Sequence, residues 1–156
     1  MIRSDRRFTF EQPPPEVWEV MADTSAYTRW WPWLRHLDAT ALVTGEVWSC
    51  HIQPPLPYSL RFTIALDEVV PAALARATVA GDITGTAELT LEPAAEGGTA
   101  GRLVSDLAPA SPVLRTFAAV ARPLVVWGHD WVLAEGIRQF KARGLPQVTE
   151  PGEPTP

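Results

Sequence analysis

The chain has 156 residues, of which 46% are hydrophobic and 20% are charged, and its formal net charge at pH 7 is -5. This balance predicts one folded domain with a sizeable core and argues against disorder over most of the length. The acidic balance also argues against a general nucleic-acid binder, because such proteins normally present a basic face.

The sequence carries none of the usual marks of a secreted or membrane protein. Cys50 is the only cysteine, so neither an intramolecular disulfide nor a multi-cysteine metal site is predicted. The first ten residues are charged and lack the apolar segment of a secretory signal. The longest apolar stretch, residues 118–134, is interrupted by charged residues and a proline, so no membrane span is expected. The default expectation is therefore a soluble, cytoplasmic protein.

The N-terminal part predicts one strand followed by two short helices. Alternating apolar and polar residues predict a first strand over residues 3–11. Prolines 13–15 end this strand and suit the first turn of a helix, where a missing N–H is not needed. Thr24 or Ser25 is expected to cap a second short helix. Pro32 should end that helix, because the residue before a proline is pushed towards extended geometry.

Six further strands are predicted in the middle of the chain. Strand-like segments alternate there with short turns rich in glycine and proline. Short turns join neighbouring strands into an antiparallel meander rather than into βαβ units. The predicted strands cover residues 36–43, 46–53, 58–69, 74–81, 84–92 and 101–108.

From about residue 112 to residue 143 the apolar period becomes helical. Pro123 lies inside this segment and should kink the helix or split it into two packed halves. The domain is expected to cover residues 1–143, followed by a proline-rich mobile tail over residues 144–156. One apolar stripe is predicted to face the rest of the domain, and it comprises Val113, Phe117, Val120, Leu124, Trp127, Trp131 and Ala134.

The order of these elements is more specific than any single motif. It comes with four short segments, which read PPPEVWEVMAD, YTRWWPWL, PPLPYSLRF and ARPLVVWGHDWV. Together they resemble the START-related superfamily, also labelled SRPBCC, and within it the polyketide cyclase/dehydrase and lipid-transport branch. The resemblance covers about residues 3–142. It implies an α+β helix-grip fold, in which a curved seven-stranded antiparallel sheet surrounds a long C-terminal helix and two short helices follow strand 1.

This resemblance offers a role for the segment RWWPWL at residues 29–34. In the implied fold the two short helices close one end of a space between the sheet and the long helix. Pro32 then sits where the second short helix turns into the next strand, so the neighbouring indoles can diverge. One should enter the interior and one should cover the mouth of the cavity, and Trp31 is predicted to be the inward one.

Residues that could carry catalysis or bind a metal are sparse. The chain has no GxSxG elbow and its three histidines lack metal-ligand spacing, so no metal and no other cofactor is predicted. His129 and Asp130 are adjacent, but neighbours on a helix diverge by about 100°. His129 projects almost opposite Trp127, so it is expected to face away from the cavity. The pair is therefore interpreted as structural.

Strand alternation separates a pocket face from an outer face. If the large apolar residues mark the concave face, its only polar side chains are Cys50, Tyr58 and Ser105, while His51 and Asp106 turn outward. General acid–base catalysis needs a histidine or carboxylate within reach of the substrate. The predicted pocket lacks one, which favours a binding protein over an enzyme.

The residues leave several functions open. The first is storage, transport or sensing of an apolar or aromatic small molecule or lipid, and the alternative is a polyketide cyclase/dehydrase-type enzyme using the same cavity. An interaction module would need an exposed apolar patch, for which Val125 and Val132 are the only hint. The sequence leaves homodimer formation open and identifies no catalytic residue. The predicted ligand-binding residues are Trp31, Trp48, Tyr58, Phe62, Leu66, Ser105, Phe117, Val120, Leu124, Trp127 and Trp131.

Overall fold

Seven antiparallel strands form one open sheet in the structure, a computed structural model that describes residues 2–56 and 59–145. The strands are β1 (Ile2–Phe10), β2 (Leu34–Asp38), β3 (Val47–Ile52), β4 (Leu60–Val70), β5 (Leu74–Gly81), β6 (Ile83–Pro93) and β7 (Thr99–Pro109). Their spatial order is β1-β7-β6-β5-β4-β3-β2. The meander predicted from the short turns is confirmed, and the first strand pairs with the last one.

Two short helical segments follow β1, as the resemblance implied. Helix α1 (Pro14–Ala22) has prolines in its first turn, where they are tolerated. A 3₁₀ turn (Thr24–Ala26) leads directly into α2 (Tyr27–Trp30). Trp31 has extended backbone angles (φ -120°, ψ 94°), so the helix ends just before Pro32 as predicted.

The predicted helix cap at Thr24 or Ser25 is wrong. The Thr24 hydroxyl donates to the carbonyl oxygen of Ala39, at 3.1 Å. The Ser25 hydroxyl donates to the carboxylate of Asp23, at 2.5 Å. Both hydroxyl groups therefore bond elsewhere, and the 3₁₀ turn has no side-chain cap.

The C-terminal helical segment consists of two helices. Helix α3 (Pro112–Val120) is followed by α4 (Arg122–Gln139), which ends in a π-helical turn (Phe140–Gly144). Ala121 breaks the segment with backbone angles of φ -130° and ψ 46°. Pro123 lies in the first turn of α4, where it does not interrupt a hydrogen bond. The split expected from this proline is confirmed.

Most of the apolar stripe predicted on this segment is exposed, contrary to expectation, and only Phe117 and Trp131 in it are partly buried. Val113 and Val120 are 78% and 84% exposed, and Leu124 and Trp127 are each 48% exposed. Ala134 is exposed as well. The inner face of α4 instead carries residues spaced three or four apart, namely Val125, Gly128, Val132, Gly136 and Gln139.

Two physical causes explain this difference. The break at Ala121 changes the rotation of the chain, so one projection cannot describe both helices. In addition, α4 carries apolar residues around most of its circumference. Periodicity marks the buried side of a helix only when the opposite side is polar, and here it is not.

The sheet follows the predicted alternation of faces. Trp48, Cys50 and Ile52 of β3 are each 8% exposed or less. In β4 the same face carries Leu66, which is 4% exposed. A register shift between Leu66 and Glu68 lies at the far end of β4 and leaves the earlier residues in phase.

The RWWPWL segment ties the short helices to the C-terminal end of α4. The indole N–H of Trp31 donates to the carbonyl oxygen of Gly136 at 2.9 Å. The indole N–H of Trp33 donates to Oε1 of Gln139 at 3.0 Å. The two indoles stack with their ring centroids 5.5 Å apart. Two side chains from one segment therefore hold two successive turns of α4.

Trp30, rather than Trp31, is the inward tryptophan of this segment. Trp30 is 7% exposed and packs edge-on against Phe140, at 5.3 Å between ring centroids. Its carbonyl oxygen accepts a hydrogen bond from the Arg143 guanidinium at 2.8 Å. Trp31 was expected in this role, but it lies outside the helix and is only half-buried. The extended residue before Pro32 turns its side chain towards α4 instead.

Two remaining expectations concern the chain ends and the membrane. Among the described residues, no helix is both long enough and apolar enough to cross a bilayer. Residues 146–156 of the predicted tail lie outside the described residues, and the domain boundary after residue 143 stays a prediction. Leu145 is 6% exposed and belongs to the core.

Replacing Trp31 with phenylalanine tests the attachment of α4. The variant loses the indole N–H that bonds to Gly136, so we expect the free energy of unfolding to fall by about 1–2 kcal/mol in urea titrations. Trp127→Phe is the matched control on the outer face of the same helix, and it should cost less than about 0.5 kcal/mol. Equal losses in the two variants would show that the Trp31 contact does not hold α4.

Candidate ligand-binding cavity

A cavity of about 200 Å³ lies between the concave face of the sheet and helices α3 and α4. An apolar cavity of about 150 Å³ is enough to hold benzene, so this space suits a small molecule with one or two rings. Six strands and both helices contribute to the lining. The lining residues are Ile2, Ile52, Pro54, Leu60, Phe62, Ile64, Val79, Ile83, Ala87, Leu103, Ser105, Leu107, Ala108, Pro109, Leu114, Val125, Gly128, His129, Val132 and Leu133.

Among the described residues of this lining, only Ser105 and His129 have polar side chains. Ser105 is 3% exposed, and the side chain of His129 is 15% exposed. Among the described residues, neither the Ser105 hydroxyl nor either ring nitrogen of His129 has a hydrogen-bond partner. Leaving such a buried group unsatisfied costs about 1–3 kcal/mol. Two of them at one cavity therefore call for an explanation.

The His129 ring is neutral near pH 7. Burial lowers the pKa of His129 below its usual 6.5, the Asp130 carboxylate opposes this effect and Arg6 adds to it. His129 Nδ1 lies 3.7 Å from Asp130 Oδ1, too far for a hydrogen bond. A neutral imidazole has one donor nitrogen and one acceptor nitrogen.

Arg6 and Asp130 pair with each other beside the cavity. Nη2 of Arg6 lies 3.5 Å from Oδ1 of Asp130 and donates to the Asp130 carbonyl oxygen at 3.3 Å. The Asp130 side chain is 50% exposed, so solvent weakens this ion pair. The contact joins α4 to β1, and the preceding residue, His129, lies on the sheet side of α4 and lines the cavity.

The expectation that His129 faces away from the cavity is therefore wrong. It rested on a projection that placed Trp127 on the inner face, whereas Trp127 lies on the outer face. Val125 and Val132, the expected hint of an exposed patch, are cavity-lining residues. The pocket was also expected to lack a histidine, and this expectation is wrong because His129 lines the cavity.

A second apolar space of about 220 Å³ lies next to the first. Leu103, Val132 and Leu133 line both spaces. Trp31 and Phe140 are among the residues that line the second space at the α2 end. The two spaces together follow α4 along the sheet.

The predicted ligand-binding residues fall into three groups. Phe62 and Ser105 line the first cavity and Trp31 lines the second, and their contact with a ligand stays a prediction. Trp48 and Leu66 are buried in the core and line neither space. Tyr58 lies outside the described residues. The residues on α3 and α4 line neither space, and they are Phe117, Val120, Leu124, Trp127 and Trp131.

Sequence reasoning missed the lining residues of α4, His129 among them. One available signal was the pair of glycines, Gly128 and Gly136, on the face where α4 approaches other elements. At Gly136 an added Cβ would lie 3.6 Å from the Trp33 ring. Small residues about two turns apart mark such an approach. The bulkier side chains of the outer face were instead predicted to face the cavity.

Neither a reactive thiol nor a metal centre emerges from the described residues. Cys50 is buried, and burial raises the pKa of its thiol to about 12. It stays protonated and is a poor nucleophile. Within residues 2–56 and 59–145, no three His, Cys, Asp or Glu side chains are grouped so that they could hold a metal ion.

Comparison with known proteins finds solved structures with a similar fold and no similar sequence. No protein-family model matches the sequence, and no curated protein matches it significantly. A START superfamily protein from Mycobacterium smegmatis superposes with a TM-score of 0.70 at 14% identity, over 91% of this chain and 96% of that one. Ara h 8.0201 superposes with a TM-score of 0.63 at 13% identity, over 90% and 95% of the two chains.

An enzyme structure is also similar. The Zhui aromatase/cyclase from Streptomyces sp. R1128 superposes with a TM-score of 0.60 at 17% identity, covering 92% of this chain and 99% of that chain. Identities this low show the fold alone. The resemblance read from the order of elements is confirmed at that level: the chain has the helix-grip fold of the START-related superfamily, with a curved antiparallel sheet, short helices after the first strand and a long C-terminal helix.

Proposed function

We propose that the chain binds an apolar or aromatic small molecule between the sheet and α4. One observation carries the proposal: apart from Ser105 and His129, every described residue that lines the cavity is apolar or glycine. Burial of apolar ligand surface there gains about 25 cal/mol for each Å² removed from water. A small, largely apolar cavity with a few polar groups is typical of a binding site for a small molecule.

Binding of this kind serves storage, transport or sensing. The adjoining space of about 220 Å³ beside the tryptophans extends the site towards α2. A ligand longer than two rings, such as a short acyl chain, would occupy both spaces. The proposal is also supported by the similar folds of a START superfamily protein and an aromatase/cyclase.

One observation favours a second candidate, an enzyme of the polyketide cyclase/dehydrase type. His129 reaches the cavity in its neutral form, which is the form that accepts a proton as a general base. Ser105 supplies a hydroxyl that can hydrogen-bond to a carbonyl oxygen of a substrate. The fold is shared with an aromatase/cyclase.

Replacing Ala87 with leucine tests whether the cavity is open. Ala87 lines the space, so the larger side chain should enter it, weaken binding of 2-methylnaphthalene at least about tenfold and cost less than about 0.5 kcal/mol of stability. Isothermal titration calorimetry and urea unfolding measure the two effects.

The matched control is Ala77→Leu on the neighbouring strand. Ala77 pairs with Ala87, is 8% exposed and lines neither cavity. Its enlargement should overpack the core and cost about 1–3 kcal/mol. If Ala87→Leu is equally destabilising, or if it leaves binding unchanged, the ligand does not occupy this space.

Replacing His129 with glutamine tests the enzymatic alternative. A linear poly-β-ketone would be incubated with the protein and its turnover followed by mass spectrometry. An enzyme using His129 as base stays active at pH 6.5 and loses activity at lower pH, because burial lowers the pKa of the imidazole below its usual 6.5. His129→Gln should abolish turnover, whereas His36→Gln at an exposed position should not. Absence of turnover by the parent protein at every pH would reject this candidate.

A further inference from the structure

Ser105 and His129 bring a polar side chain to each of two facing walls of the cavity. Ser105 lies in the middle of β7, between Ser4 of β1 and Ala87 of β6. His129 comes from α4 on the opposite wall. The other side chains that line it within residues 2–56 and 59–145 are apolar. A ligand held between sheet and helix can therefore meet one hydrogen-bonding side chain of the described lining on each wall.

The hydrogen-bonding groups of Ser105 and His129 are complementary to a ligand hydroxyl group. The Ser105 hydroxyl can donate one hydrogen bond and accept others, and neutral His129 offers one donor and one acceptor. A ligand hydroxyl also donates and accepts. It can donate to one wall and accept from the other, which satisfies groups that the protein leaves unpartnered.

A charged ligand group fits this cavity lining poorly. Among the described residues, the lining holds no arginine, lysine or carboxylate. Arg6 pairs with Asp130 and does not line the cavity. A buried carboxylate or ammonium without a counter-charge is strongly disfavoured. An aromatic molecule without any polar group fits the walls but leaves both protein groups unsatisfied.

We infer that the cavity selects an aromatic or alicyclic molecule that carries one uncharged hydroxyl, bound between Ser105 and His129. This inference rests on the proposed binding function and narrows it to a ligand class. The two residues determine specificity, and the apolar walls supply most of the affinity.

Three probes of similar size separate the alternatives: 2-naphthol, 2-methylnaphthalene and 2-naphthoate. At pH 7 a phenolic hydroxyl is uncharged, and a carboxylate is ionised. Calorimetric titration should rank 2-naphthol first and 2-naphthoate last. We expect 2-naphthol to bind about two- to tenfold more tightly than 2-methylnaphthalene for each hydrogen bond gained.

Ser105→Ala and His129→Leu should each reduce the preference for 2-naphthol without weakening 2-methylnaphthalene. The double variant should bind the two probes equally. Ser105→Thr and His129→Gln keep a hydrogen-bonding group at each position and should retain part of the preference. They keep the test usable if the apolar variants fail to fold. Ser49→Ala and His36→Leu are the matched controls at exposed positions, and neither should change the ranking.

The outcomes distinguish this inference from the function on which it rests. If none of the probes binds, the proposed binding function fails. If 2-methylnaphthalene binds as tightly as 2-naphthol, and the variants change both equally, the cavity stands and the hydroxyl preference is wrong. Tightest binding of 2-naphthoate would also overturn the inference, since it would require a positively charged partner in the cavity.

Discussion

The attachment of the C-terminal end of α4 is the contact on which the cavity depends. Trp31 and Trp33 donate to this end, and Phe140 packs edge-on against Phe10, at 5.4 Å, and against Trp30. These contacts bring the end of the helix down onto the sheet and the short helices. The N-terminal part of α4, which carries Val125, then covers the rest of the concave face. The space between that part and the sheet is the cavity.

The composition of the cavity links this architecture to a function. A filled core gains from every apolar contact and has no use for a buried hydroxyl or imidazole that lacks a partner. Alanine in place of Ser105, or leucine in place of His129, would fit the surrounding lining without that cost. Their presence in an otherwise apolar described lining supports the proposed ligand, and it connects the binding and enzymatic candidates through the same two residues.

The sheet could be predicted from the sequence, and the inner face of α4 could not. Alternation along a strand has a period of two, so Phe62 and Ser105 were placed on the pocket face correctly. On α4, two sets of apolar residues have helical spacing, one with Val125 and Gly128 and the other with Leu124 and Trp127. Spacing alone does not decide which set faces the sheet. Pro123 predicts the break but not the rotation that follows it. That rotation depends on contacts distant in sequence, such as Trp31 with Gly136, which the local apolar period does not contain.

A crystal of the protein soaked with bromobenzene would locate a bound aromatic ring through the anomalous signal of bromine. We expect the bromine between Phe62 and Ile64 of β4 and Val125 of α4, inside the space that their side chains line. Bromine confined to the outer face of the helix at Leu124 and Trp127, with side chains filling the inner space, would contradict a ligand-binding cavity between sheet and helix.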